Sequence, residues 1–248
     1  MSTDNDWERW GKENPYFGVY SDEKYLGRTI SSDAQINIFN SGVNDVNRVM
    51  QAIQKLNNGK VPQFMRAVDF GCGVGRLTLP LSRFSKQTIG LDVSPSMIKS
   101  AKQNLATTKF KNITYQVDDG MLSKLKNYDL VHSYIVLQHI PVQRGEIIIQ
   151  KLLTGLLPGG FAALHITYAH DASLFRRAVI KSRSFLPVHY ALNILRGRPP
   201  RTPLMRMHLY NLARIFRTFN DHGIEQCVTI STNHGGYRGV FIIGQKRS

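Results

Sequence analysis

Cysteine is scarce in this 248-residue chain. Cys72 and Cys227 stand far apart, which excludes a disulfide framework or a cysteine-built metal cluster and suits a reducing compartment. Long apolar runs are missing too. No window approaches the roughly 20 residues a membrane-spanning helix needs, and the start Met1-Ser2-Thr3-Asp4-Asn5-Asp6 lacks the basic-then-apolar order of a secretory signal. A cytoplasmic protein with one catalytic-sized domain is the expectation. The third scarcity is local: residues 172–217 hold ten Lys and Arg and not one Asp or Glu, although the whole chain has 32 basic and 17 acidic side chains. Two thirds of the net charge of +15 is therefore concentrated in one segment, which suits an anionic partner for one face, with a solvated charged face as the plain alternative.

Glycine, by contrast, is concentrated where it matters. Val68-Asp69-Phe70-Gly71-Cys72-Gly73-Val74-Gly75-Arg76-Leu77-Thr78 reads as a buried strand, a tight glycine turn and a helix beginning near Arg76. Glycine tolerates positive φ and lets the backbone approach a ligand closely. The dinucleotide fingerprint G-x-G-x-x-G needs a glycine where Arg76 stands, and Asp69 would repel a pyrophosphate but suits a cationic ammonium. An ordinary strand-to-helix connection is the plain alternative.

The strand pattern beyond the turn argues against that alternative. Gln87-Thr88-Ile89-Gly90-Leu91-Asp92 reads as a second strand ending in a carboxylate, about the spacing at which such sites grip ribose hydroxyls. Ser94 then serves as N-cap and Pro95 as the first residue of a helix. A third strand, 113–117, ends in Asp118-Asp119-Gly120, where a carboxylate can accept from an exocyclic adenine amine. Tyr128-Asp129-Leu130-Val131-His132-Ser133 is a fourth strand, and Leu157-Pro158-Gly159-Gly160 turns into a fifth, 161–167.

These landmarks together resemble the class I S-adenosylmethionine-dependent methyltransferases, firmly over residues 64–168. The resemblance implies an α/β, Rossmann-like, seven-stranded, mostly parallel sheet with helices on both faces and the last strand antiparallel. It also implies S-adenosyl-L-methionine as cofactor, leaving as S-adenosyl-L-homocysteine, with no metal. The cofactor contacts carried over are Asp69, Gly71, Gly73, Gly75 and Asp92, then Asp119, Gly120, Met121 and Ser133. His139, in the loop after the fourth strand, is placed near the transferring methyl as candidate general base, or as a residue that orients a helix or contacts substrate without proton transfer.

Outside that region the reading is architectural. Residues 1–60 are expected to form a cap and a helix, and 61–248 the methyltransferase domain. Trp7, Trp10, Tyr16, Phe17, Tyr20 and Tyr25 need somewhere to pack, so the cap should fold over the mouth of the site. Its sequence resembles the N-terminal extension of bacterial methyltransferases of sugar and surface-polysaccharide pathways. That likeness brings Tyr16, Phe17 and Arg28 to the cofactor, with Arg28 facing its carboxylate, or leaves all three as braces of the cap. Apolar spacing predicts a helix over 42–57. His165, inside an apolar run, reads as a core histidine, whereas Tyr168, His170 and Arg176 are expected at the acceptor. The basic insert, 170–205, carries an amphipathic pattern over 174–181 and should overhang the acceptor pocket. The expected acceptor is a small molecule or glycan, hydroxylated and anionic, with O-methylation favoured and an anionic membrane surface, at the inner face, as partner of 172–217. Nucleic acid ranks lower, because the asparagine-proline-proline-aromatic signature of base-amine methylases is absent at Ser133-Tyr134-Ile135-Val136. A non-catalytic cofactor-binding partner is the third reading.

Overall fold

The computed structural model describes residues 3–27, 29–171, 186–195, 197, 199–200 and 202–248. Helices Thr3–Glu13 (α1) and Pro15–Val19 (α2) open the chain, followed by Ser32–Leu56 (α3). Then come Phe64–Phe70 (β1), Thr78–Leu81 (α4), Ser85–Asp92 (β2), Pro95–Ala106 (α5), Ile113–Val117 (β3), Tyr128–Ser133 (β4), Val142–Gly155 (α6) and Leu156–His170 (β5). Leu186–Leu195 (α7), Leu212–Asp221 (α8), Cys227–His234 (β6) and Tyr237–Gln245 (β7) complete it.

The seven strands run in the order β3-β2-β1-β4-β5-β7-β6. The first five are parallel, and β7 is antiparallel to both β5 and β6, as expected. Strand side chains alternate between faces, and the core divides accordingly. Val68, Val131, Leu164 and Ile242 pack with Ile149 and Leu153 of α6 and with Ile215 and Phe219 of α8. Ala67, Leu130, Ala163 and Phe241 pack with Val46, Met50 and Ile53 of α3. Burying each large apolar side chain contributes about 1.5–3 kcal/mol, so helices are held on both faces. The strand order reverses between β1 and β4, and the crevice at the carboxyl ends beside that switch is where a ligand settles in such sheets.

Several boundaries differ from those expected. α3 begins ten residues before the expected start at 42, because Ser31 caps it by accepting from the Ala34 N–H at 3.2 Å. The helix after the glycine turn is a single turn, Thr78–Leu81, with Pro80 inside it, and not a helix from Arg76. β5 takes in Leu157-Pro158-Gly159-Gly160 through a register shift against β4, and it also takes in Tyr168 and His170. The hairpin loop is reduced to Gly235-Gly236, with φ of 62° and 87°, so His234 lies in the ladder opposite Tyr237.

The aromatic cap has a core of its own: Trp10, Phe17 and Tyr25 bury themselves with Ala34 and Ile38 of α3, Val74 of the glycine turn and Met97 of α5. The pattern over 174–181 lies outside the described residues. Among the described residues no helix is long and apolar enough to cross a membrane.

Candidate active site

One cleft opens at the carboxyl ends of β1, β2 and β4. Its floor is Phe70, Gly71, Cys72 and Gly73 at the end of β1; Asp92, Val93 and Met97 flank it from β2 and α5, and Asp118 from β3. The tip of β4 adds Tyr134, Ile135, Val136 and His139, and the cap adds Thr3, Asp4, Trp7, Gly18 and Val19.

The turn is built by backbone demand. The N–H groups of Gly71 and Cys72 donate to the Leu91 carbonyl at 2.7 and 2.9 Å, which folds the chain over the tip of β2. Gly71 has φ of 75°, and a Cβ there would stand 2.2 Å from a methyl of Val136. Only glycine fits without displacing the β4 loop. The Gly73 N–H donates to Asp92 Oδ2 at 2.9 Å, whereas Gly75 presses on the Tyr115 hydroxyl away from the cleft.

Asp92 is half-buried at the edge of the cleft, and its Oδ1 accepts from the Ser94 N–H at 2.9 Å. Burial pushes its carboxyl up to about 6, against the pull of the Ser94 and Gly73 N–H bonds. A group that donates two hydroxyls to this carboxylate stabilises its ionised form, and a ribose has two.

Several expected contacts fall elsewhere. Asp69 does not line the cleft: Oδ2 accepts from the Thr78 hydroxyl at 2.6 Å and Oδ1 lies 2.9 Å from His132 Nδ1, so it braces β1 against the turn and β4. Asp118, not Asp119, is the carboxylate at the tip of β3. The Asp118 N–H donates to the Asp92 carbonyl at 2.9 Å, which carries the ladder one residue further and leaves Asp119 and Gly120 exposed and Met121 half-buried beyond the cleft. Ser133 is buried and donates to the Phe70 carbonyl at 3.0 Å, tying the ends of β4 and β1. The Tyr16 hydroxyl donates to Asn104 Oδ1 at 2.9 Å, so it braces the cap on α5. Tyr168 packs against the core and the His170 ring lies 3.9 Å from that of Tyr237, neither lining the cleft. Arg28 and Arg176 lie outside the described residues.

His139 does reach the cleft, beside Trp7 with ring centroids 4.9 Å apart. Both ring nitrogens are engaged, however. Nδ1–H donates to the Arg206 carbonyl at 2.8 Å, and Nε2 accepts from the Gln138 amide at 3.2 Å. Gln138 is held in turn by the Thr167 hydroxyl, which donates to its Oε1 at 2.6 Å. Burial lowers the imidazole to about 4, so it stays neutral at pH 7.

Three features have no sequence signal. Ile135 takes φ of 59°, a left-handed backbone that a β-branched residue adopts only under constraint, at a cost of about 1–3 kcal/mol, and it lies at the cleft. The Tyr134 hydroxyl lies 3.2 Å from Nε2 of His234, brought over by the β6–β7 hairpin. Glu8 of α1 caps α5, accepting from the Ser94 hydroxyl at 2.7 Å, the Ser96 hydroxyl at 2.8 Å and the Ser96 N–H at 3.1 Å. Burial pulls the Glu8 carboxyl up, but these bonds outweigh it and hold it below the usual range. With the Asp4–Arg144 pair at 2.6 Å, Glu8 clasps the cap over the cleft. Replacing Glu8 with glutamine should speed S-adenosylhomocysteine release about 3- to 10-fold in stopped-flow Trp7 fluorescence, from the loss of about 1 kcal/mol of capping and charge interaction; an unchanged rate would refute the clasp.

Residues 67–160 match the methyltransferase domain family. A 23S rRNA (uracil(1939)-C(5))-methyltransferase of Shewanella sediminis is 31% identical over 103 residues, 42% of this chain and 21% of that protein. An uncharacterized methyltransferase of Emericella nidulans is 27% identical over 175 residues, covering 58% of this chain and 59% of the relative. The chain thus spans only about a fifth of the first relative's length and three fifths of the second's. Magnesium protoporphyrin IX methyltransferase of Synechocystis PCC 6803 with bound S-adenosylmethionine superposes with a TM-score of 0.62 over 99% of this chain and 98% of its own, at 18% identity. The N-methyltransferase NodS of Bradyrhizobium japonicum WM9 with S-adenosylhomocysteine gives 0.56 over 95% and 100%, at 14% identity. A carboxylate suited to two hydroxyls, a turn with glycines at 71, 73 and 75 and the family match thus converge: residues 67–160 match a methyltransferase domain, within a fold shared with solved structures that hold S-adenosylmethionine or S-adenosylhomocysteine.

Proposed function

We propose that this chain methylates a hydroxyl group of a small anionic acceptor, a sugar or a lipid-linked glycan, with S-adenosylmethionine as donor. The observation that carries the cofactor part is Asp92: a half-buried carboxylate at the tip of β2, lining the cleft and already oriented by two backbone N–H groups. Residues Asp92 and Asp118 would hold the ribose and the adenine amine, with Val93 and Met97 against the base. Bound there, the cofactor supplies an electrophilic methyl on a sulfonium whose thioether leaves neutral. The chain's main contribution is alignment, which can lower such a barrier by about 7–11 kcal/mol.

The acceptor's proton needs a destination. His139, neutral and doubly hydrogen-bonded, is suited to orienting the acceptor through its ring and Trp7 rather than to taking a proton. The Tyr134–His234 pair supports the hydroxyl reading better: the phenol oxygen can accept from the acceptor as its own proton moves to His234 Nε2. Burial raises the phenol to about 12 and lowers His234, so both start neutral at pH 7. Ten cationic side chains in 172–217 support an anionic acceptor or a peripheral membrane contact. The basic stretch and the rRNA methyltransferase similarity favour RNA as the second reading.

Incubation of the protein with methyl-tritiated cofactor and fractionated cell extract tests both. Label is expected in anionic small-molecule or glycolipid fractions, released by acid and resistant to ribonuclease. Label confined to a ribonuclease-sensitive fraction would overturn the acceptor class.

A further inference from the structure

Helix α7 is amphipathic in reverse. Its exposed positions include Pro187, Ala191, Ile194 and Leu195, which recur at the spacing of a single helix face. Ile194 is 59% exposed and Leu195 80%. Asn193, by contrast, is buried, and its Nδ2 donates to the carbonyls of Pro200 at 2.8 Å and Thr202 at 3.2 Å. Polar contacts thus hold the inner side while an apolar row faces outward, and a contiguous row of that kind marks an interaction site. In the sequence Arg176, Arg177, Lys181 and Arg183 precede α7 and Arg196, Arg198 and Arg201 follow it, with no Asp or Glu anywhere in 172–217.

We propose that α7 is an interfacial anchor, which lays this apolar row into the acyl boundary of an anionic lipid surface. With 10 residues it is too short to span a bilayer, which takes about 20, so it lies in the interface plane. A bilayer satisfies both halves of the feature: hydrocarbon for the apolar row and anionic headgroups for the flanking cations. Nucleic acid would meet the charge and leave the row in water. A second copy would set like charges against each other, over a face about 15 Å long and about 10 Å wide, far below the roughly 800 Å² per partner of a stable interface. The proposal rests on the lipid-linked reading of the acceptor and names what brings that acceptor to the cleft. Past Thr202 the chain runs to Met205, which packs with the aromatic cap, and to Arg206, whose carbonyl accepts the His139 Nδ1–H bond at 2.8 Å. The anchor therefore leads directly into one side of the cleft.

Co-sedimentation of the full chain with phosphatidylcholine vesicles, made with and without phosphatidylglycerol, tests this. The protein should partition onto the phosphatidylglycerol vesicles and only weakly onto phosphatidylcholine alone. Replacing both exposed residues, Ile194→Asn with Leu195→Asn, should lower that partitioning about 10- to 100-fold, from the apolar area no longer withdrawn from water. Both side chains already face water, so the variant should melt with wild type and bind S-adenosylhomocysteine as wild type does in calorimetry. Equal partitioning of variant and wild type would show that charge alone holds the protein, and overturns the anchor. So does a wild type that stays in the supernatant with both vesicles, a dimer that the double substitution turns into a monomer in the ultracentrifuge, or an RNA oligonucleotide whose affinity falls as far on the same substitution. Vesicle binding without S-adenosylhomocysteine binding keeps the anchor and rejects the methyltransferase reading; S-adenosylhomocysteine binding without vesicle binding does the reverse.

Discussion

Replacing Asp92 with alanine should weaken S-adenosylmethionine binding about 100-fold in calorimetry. Two ribose hydroxyls donating to an ionised carboxylate are worth about 1.5–3 kcal/mol each, and each 1.4 kcal/mol is tenfold in affinity, so even the low end reaches that factor. The same group sets a pH dependence. Its carboxyl sits at about 6 in the unliganded fold, raised by burial, and binding the hydroxyls favours the ionised form. Wild-type affinity should therefore be flat above about pH 7 and fall toward tenfold per pH unit below about 6. Stability of the unliganded protein moves the other way. A carboxyl raised in the folded state binds a proton there before the unfolded chain does, so its contribution grows as pH drops from about 6 toward 4. The alanine variant should lose both trends. Affinity within threefold of wild type would mean the ribose sits elsewhere.

Gly71→Ala should be the most damaging small substitution in the turn. The left-handed backbone at φ of 75° costs a Cβ-bearing residue about 1–2 kcal/mol, and the 2.2 Å approach to Val136 adds an overpacking cost of about 1–3 kcal/mol. For a chain of this size such a loss lowers the melting temperature by roughly 5–15 °C. Adding Val136→Ala should recover the packing part and leave the backbone part. A single variant that melts with wild type, or a double variant no better than the single, would show that the β4 loop yields freely.

The parts of the fold legible in the sequence are those the local chain dictates. The glycine turn announces itself because positive φ restricts residue choice, and Asp92 because a strand pattern ends there and Ser94-Pro95 starts a helix. The misplacements come from partners distant in the chain. Sequence alone favours Asp119 over Asp118, because only the ladder bond to the Asp92 carbonyl decides which residue stands at the strand tip. Asp69 reads as a ligand contact until His132, on another strand, and Thr78 take its oxygens. Tyr16 turns to Asn104 and His139 to the Arg206 carbonyl, contacts that no periodicity announces. The length of α3 is hidden by Asn37, Asn40 and Ser41, residue types that favour turns and caps over helix interiors, and by Gly42, whose missing Cβ leaves room for the Arg76 carbonyl.

The central claim is that the turn after β1 and the tips of β2 and β3 seat a sulfonium nucleoside. A crystal structure of the protein soaked with S-adenosylhomocysteine tests it most directly. The ribose hydroxyls should lie within hydrogen-bond distance of Asp92, the adenine amine within reach of Asp118, and the amino-acid end over Gly71 and Gly73. Density for the nucleoside anywhere else, or none in the cleft at saturating ligand, would contradict the account.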